Sequence, residues 1–392
     1  MTAEQIAQAG RAHSSQEAER VARVELARLF EPSNATVTHL LRQMTAVVLM
    51  DRLRADPAAE RSLRENSSAA RLPGLDAARD LDRAARAGIR FVIPGDPEWP
   101  AQLDRLGHCA RLDRTDWAPW GLWIKGPLHL DELVESVAIV GSRTGTTYGT
   151  TLASTLAADL ARSGLVVVSG GAFGVDAAAH RGALVAEGRT AAVLACGVDR
   201  VYPTGNRDLL GRIAERGALI SEAPPGCAPM RHRFLTRNRL IAGLTCGTVV
   251  VEAAVRSGAL NTAGWATSID RPVMGVPGPV TSAASEGVHE LIRSGAASLV
   301  GRAEDVREVV GGIGEFLAPV LRAPVRPRDE LGAPEQLILD SVPVHRGVAA
   351  ESVARTAGTS VSQARTLLQG LERRGFVEFS DTGWRLTGLA RT

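Results

Sequence analysis

Arg143 follows Gly141-Ser142 in a small-residue turn, directly after the apolar run 137–140. A second such turn, Ser169-Gly170-Gly171, follows the run 165–168. Helical patterning occupies 148–162 and resumes near Val175. Strand, turn, helix, strand, turn, helix makes a parallel βαβ unit with both turns at carboxyl ends of neighbouring strands. Turn amides at helix N-termini, beside a guanidinium that can grip two oxygens, suit an anion, and phosphate is the usual one. The dinucleotide fingerprint G-x-G-x-x-G is missing, and so is G-x-x-x-x-G-K-[ST]. Lys125 is the one lysine among 45 basic residues, so a phosphate-gripping or Schiff-base lysine has almost no candidate.

The densest basic run is Arg231-His232-Arg233-Phe234-Leu235-Thr236-Arg237-Asn238-Arg239. It lies in a strand-to-helix connection, expected on the same edge as the two turns. A row of arginines and amides along one edge would follow a chain of phosphates rather than a single one. With aromatics at 4%, base readout is expected to be slight and binding indifferent to sequence. Asp176, His180, Asp199, Glu222 and Glu252 are the acid-base candidates near strand ends. Simpler roles are open to two of them: Asp176 as a helix cap and His180 as a core histidine. Cys109, Cys196, Cys227 and Cys246 form no C-x-x-C pair, so neither a zinc site nor a disulfide framework is expected.

These residues need a scaffold, and the chain supplies one in order. Residues 1–85 are rich in Ala, Arg and Glu with helical periodicity, and read as a helical N-terminal domain. Leu72-Pro73-Gly74-Leu75 could form a helix-hairpin-helix contact with DNA, although a packing or oligomerisation module is the simpler reading. Over 86–312, strands alternate with helices, most strands ending in Gly, Ser or Pro. This is an α/β fold, an extended Rossmann-like, doubly wound, mostly parallel sheet. The proline-broken segment 313–333 reads as a linker. Residues 334–392 hold three helical stretches and a hairpin, a winged-helix pattern. Its second turn helix carries only Arg365, Arg373 and Arg374, thin for reading a major groove. A net charge of +2 confines any nucleic-acid surface to a local patch. The N-terminus lacks a signal pattern and no run reaches spanning length, so a cytoplasmic protein without membrane insertion is expected.

The string VGSR…SGGAFGVDAAAH…GVDRVYPTGN…SEAPPG…FLTRNRLIAGL…VVVEAAVRSGALNTA…VPGPV…SEGVHELIRSGA resembles the DNA-processing protein A (DprA, also called Smf) family over about residues 88–302. The resemblance implies a sequence-independent single-stranded DNA binder that dimerises, loads the RecA recombinase during DNA uptake in natural transformation, and has no catalytic chemistry and no cofactor. It places phosphate contact at Arg143, the Ser-Gly-Gly turn at Ser169, Gly170 and Gly171, and a basic position at Arg189. The family's R-N-R falls on Arg237, Asn238 and Arg239, and its S-G-[SA]-L loop on Ser257, Gly258, Ala259 and Leu260. Gly141, Ser142 and Gly197 complete the expected DNA-binding set. Leu235 stands before Thr236 where the family has proline, and Asn261 replaces an apolar residue. The rival reading is a Rossmann-like nucleotide-binding or nucleotide-hydrolysing enzyme of the phosphoribohydrolase type. Against it, the approach to Glu252 is Thr248-Val249-Val250-Val251, without that type's glycine-rich motif.

Overall fold

A computed structural model describes residues 3–32, 34–56, 76–109, 117–312, 314–318 and 326–391, with side chains from Ser14 onward. Leu72-Pro73-Gly74-Leu75 lies outside the described residues. Contacts divide the chain into a large unit, Met1–Ala318, and a small one, Pro319–Thr392.

The large unit is built on a nine-stranded sheet in the order β1-β2-β6-β5-β4-β3-β7-β8-β9. Its strands are β1 (Ile89–Val92), β2 (Leu122–Lys125), β3 (Ser136–Val140), β4 (Val166–Ser169), β5 (Thr190–Val193), β6 (Ala218–Ser221), β7 (Thr248–Val250), β8 (Val273–Gly275) and β9 (Ser298–Leu299). From β6 to β9 the pairing is parallel, while β1 and β2 add antiparallel. Residues alternate between the faces: Val137 and Ile139 of β3 enter one core, Ala138 and Val140 the other. Burial on both faces explains why these strands read as continuous apolar runs. Helices Thr147–Arg162 and Val175–Val185 cover one face. Helices Arg231–Gly243 and Gly258–Ser268 cover the other, through Leu240, Ile241, Ala259, Ala263 and Trp265. The Rossmann-like, doubly wound α/β fold is therefore what the chain adopts.

The N-terminal helices pack a small core among themselves, from Ala22, Leu26, Val37, Leu49 and Met50, and are also fastened to the sheet. Val24, Ala77 and Ala84 pack with Phe91 and Trp123 of the sheet, and Trp120 is buried among Leu26, Leu29 and Met50. The Trp120 indole donates to the Thr38 hydroxyl at 3.0 Å, and Arg20 pairs with Asp96 at 2.7 Å. Residues 3–56 and 76–86 thus share cores with the sheet, and the boundary expected near 85 falls inside one packing unit. Among the described residues, no helix is long and apolar enough to cross a membrane.

The small unit contains helices Ala333–Asp340, Ala350–Ala357 and Val361–Arg373, then β10 (Val377–Ser380) paired antiparallel with β11 (Gly383–Leu386). Three helices followed by a hairpin are the elements read from the sequence over 334–392. Leu331 lies in its core, so the end of the segment expected to be linker belongs to this unit.

Candidate nucleic-acid interface

Strand order reverses at β3: β4, its successor in the chain, lies on one side and β7 on the other. The crossover helices leave for opposite faces there, opening a crevice at the carboxyl ends of the strands. The crevice measures about 380 Å³, and Gly141, Ser142, Arg143, Asp176, Phe234, Arg237, Asn238, Ser257 and Gly258 are among its lining residues. Sequence reasoning thus brings together Gly141, Ser142, Arg143, Arg237, Asn238, Ser257 and Gly258 at one place.

Arg143 is the exposed cation of this crevice. Its guanidinium lies over the Phe234 ring, 5.1 Å from the centroid, and pairs with no carboxylate among the described residues. The ring holds the cation by its quadrupole without neutralising it. Ser142 stays half-exposed, its hydroxyl 3.2 Å from the Thr144 amide. Ser257 caps the helix Gly258–Ser268 by accepting from the Ala259 amide at 3.2 Å.

Beneath this rim, other expected ligands are committed to the fold. Arg237 is buried, and its guanidinium donates to the carbonyls of Gly170, at 2.7 Å, and Val193. It lies so close over Gly170 that a Cβ there would sit 2.4 Å from Nη1, which is why this position is glycine. The Asp176 carboxylate accepts from the Gly170 and Ala172 amides at 3.1 and 3.4 Å, using turn donors expected for phosphate. Ser169 is fully buried, its hydroxyl donating to Ile139 O at 2.7 Å. Gly171 gives its carbonyl to Asn206, and the Gly197 amide donates to Cys227 O at 3.0 Å. Asn238 donates to Gly258 O at 3.3 Å and to Asn261 Oδ1 at 3.2 Å, so the polar residue at 261 pins the helix carrying Asn238 to the loop at Gly258.

Two expected ligands lie elsewhere. Arg239 is 1% exposed and forms a two-toothed pair with Glu222, both contacts 2.6 Å, while donating to Trp117 O and Thr236 O. Arg189 precedes β5 and therefore stands at the amino edge of the sheet, opposite the crevice, paired with Glu132. His232 and Arg233 of the basic run are also engaged, both by Glu31 at the end of the first N-terminal helix, at 3.2 and 2.6 Å. The groove is therefore shorter than the sequence suggests.

Burial sets the electrostatics. Desolvation, reinforced by Arg143, pushes the Arg237 guanidinium down to about 10, against the pull of Asp176. Desolvation also raises the Asp176 carboxyl, although Arg237 and the turn amides oppose it. Arg143 and Arg237 face one buried acid, so the crevice carries surplus positive charge, suited to an anion.

The acid-base candidates are occupied. Glu252, buried, accepts from the Thr146 amide at 2.9 Å and from its hydroxyl, fastening the start of the helix Thr147–Arg162. Asp199 holds the Gly226 amide at 2.9 Å. His180 is fully buried, with Nδ1 2.7 Å from the Thr190 hydroxyl, which donates to Val167 O. Desolvation, with Arg237 adding repulsion, pushes His180 down to about 3. The unfolded chain takes up a proton near pH 6.5 that the folded chain refuses. The stabilising effect of neutral His180 is complete above pH 6.5 and declines by about 1.4 kcal/mol per pH unit as pH falls toward 3. Asp176, with its pKa raised, acts in the opposite sense. His180→Gln should therefore flatten the loss of urea resistance between pH 7 and pH 5, by about 2 kcal/mol.

Sequence reasoning overlooked Phe173, Tyr202 and Asn206, which border the same edge, and Arg256, exposed and next to Ser257. For Arg256 a signal was available, since it immediately precedes the Ser-Gly loop.

The profile of a family described as DNA recombination-mediator protein A matches residues 90–311. The chain is 44% identical over 365 residues to a putative DNA processing protein DprA of Mycobacterium tuberculosis, spanning 92% of each. It is 39% identical over 219 residues to the protein Smf of Escherichia coli, covering 55% of this chain and 56% of that one. Among solved structures, DNA processing protein A of Streptococcus pneumoniae matches with a TM-score of 0.60 at 29% identity, covering 74% of this chain and 96% of that chain.

Proposed function

The chain belongs to the DNA recombination-mediator protein A family, and from that premise we propose that it holds single-stranded DNA of any sequence by its phosphodiester backbone. The observation that carries this reading is Arg143, exposed at the switch-point crevice, stacked on Phe234 and unpaired with any described carboxylate. Ser142 and Gly258 line the same crevice, and exposed Arg256 directly precedes Ser257 in the chain. The role is that of a mediator without catalytic chemistry, a reading supported by Glu252, which fastens Thr146 at the start of its helix. The active species is a homodimer in the cytoplasm that hands its strand to the RecA recombinase during DNA uptake.

The small unit, read as a winged helix, serves protein contact rather than duplex reading. Its Arg365, Arg374 and Arg385 are paired with Glu351, Glu335 and Glu378.

Fluorescence anisotropy with labelled oligo-dT tests the core of the reading. Affinity should rise with oligomer length, exceed that for duplex of the same length, and fall steeply with salt. Equal affinity for duplex, or binding insensitive to salt, would overturn it.

A further inference from the structure

β1 is the outer strand of the sheet at the end opposite β9, paired with β2 on its inner side. In an antiparallel pair, alternate residues turn their amide and carbonyl away from the partner strand. Two bonds identify those residues. Phe91 O accepts from Arg20 Nη1 at 2.7 Å, and the amide of Ile93, two residues on, donates to Asp96 Oδ2 at 2.8 Å. The outward row is therefore Ile89, Phe91 and Ile93. Arg20 and Asp96, themselves paired at 2.7 Å, stand in for a neighbouring strand at the Ile93 end. Among the described residues, no group outside the sheet takes the amide or carbonyl of Ile89, or the Phe91 amide.

An edge left open in this way is a template for another strand. It faces a groove of about 870 Å³. One wall is the helix Ala77–Arg86, which contributes Leu81, Asp82 and Ala85, and the other carries Glu98 and Asp131. These walls belong to opposite faces of the sheet. Ala84 of the helix packs with Ile89 and Phe91, whereas Leu130 and Leu133, beside Asp131, pack with Val92. A strand laid along β1 turns alternate side chains to the two faces, so it meets a carboxylate on each.

Carboxylates outnumber guanidiniums five to two along the groove. The two guanidiniums are already matched, Arg20 by Asp96 and Arg90 by Glu98, whose Oε2 lies 2.8 Å from Arg90 Nε. Asp82 and Asp131 are exposed and pair with no cation among the described residues. The charge left open is negative, the complement of a basic partner.

We propose that this groove docks an extended basic segment of a partner protein, which joins the sheet beside β1 and sets arginine or lysine side chains against Asp82 and Asp131. Backbone bonds at Ile89 and Phe91 supply the docking, and the two carboxylates select the sign of the segment. The site is separate from the switch-point crevice and does not depend on the single-strand reading.

The probe is a short labelled peptide alternating arginine with valine, titrated against the full chain by fluorescence anisotropy. It should bind saturably, and the same peptide with glutamate for arginine should not. N-methylation of alternate peptide residues keeps the charge and removes the donors along one edge; it should weaken binding about 10- to 100-fold. The double variant Asp82→Asn/Asp131→Asn should weaken it about 3- to 30-fold. Both side chains are exposed, so the variant should melt as wild type does. Failure of the arginine peptide to bind, equal binding of the glutamate peptide, or affinity that survives N-methylation or the double substitution would overturn the proposal.

Discussion

Arg143→Ala weakens binding to oligo-dT about 10- to 100-fold and leaves the melting temperature unchanged. The size follows from the loss of a charge-assisted contact, about 1.5–3 kcal/mol. The unchanged stability follows from the side chain's setting: it is exposed and pairs with no described carboxylate, so its removal strands no buried partner. One further readout separates a phosphate ligand from a mere packing residue. The slope of log affinity against log salt should become shallower by about 0.7, the contribution of one phosphate on a single strand. A variant with wild-type affinity and slope would remove the crevice from consideration.

Arg239→Ala should do the reverse. The guanidinium forms a buried pair with Glu222 and holds two carbonyls, so its loss leaves a carboxylate that is 9% exposed without its counter-charge. Breaking one side of such a pair costs about 3–5 kcal/mol. In a unit of this size that lowers the melting temperature by about 10 °C in a calorimetric scan. The protein that remains folded should bind oligo-dT as wild type does. A stable variant with weakened DNA binding would instead place Arg239 in the groove.

The contrast between these two arginines shows what was legible in the chain. The inner strands β3 to β8 could be read because parallel strands buried on both faces are continuous apolar runs ended by small residues. A ligand groove along the carboxyl edge could be read from the row of small-residue turns, whereas its place at β3 needed the strand order of the sheet. The error at Arg239 was avoidable: Arg237-Asn238-Arg239 lies within the helix Arg231–Gly243, and residues two apart point about 200° apart. One arginine had to face the crevice floor while the other faced away. Arg189 could likewise have been excluded, since it precedes β5 instead of following it. The roles of Asp176 and Glu31 were not readable. Asp176 meets the Gly170 amide only in a particular path of the loop between them, and Glu31, about two hundred residues before Arg233, meets it only through tertiary closure. The scarcity of aromatics was read as weakness in base contact, but composition says nothing of where rings gather.

Glu31 carries one more implication. By pairing with Arg233, Glu31 just beyond the first N-terminal helix masks a guanidinium that the sheet region alone would expose. A fragment trimmed to residues 90–311 should bind any polyanion, heparin included, more tightly than the full chain does. Affinities measured on such a fragment should therefore overstate the intact molecule's grip on polyanions in general.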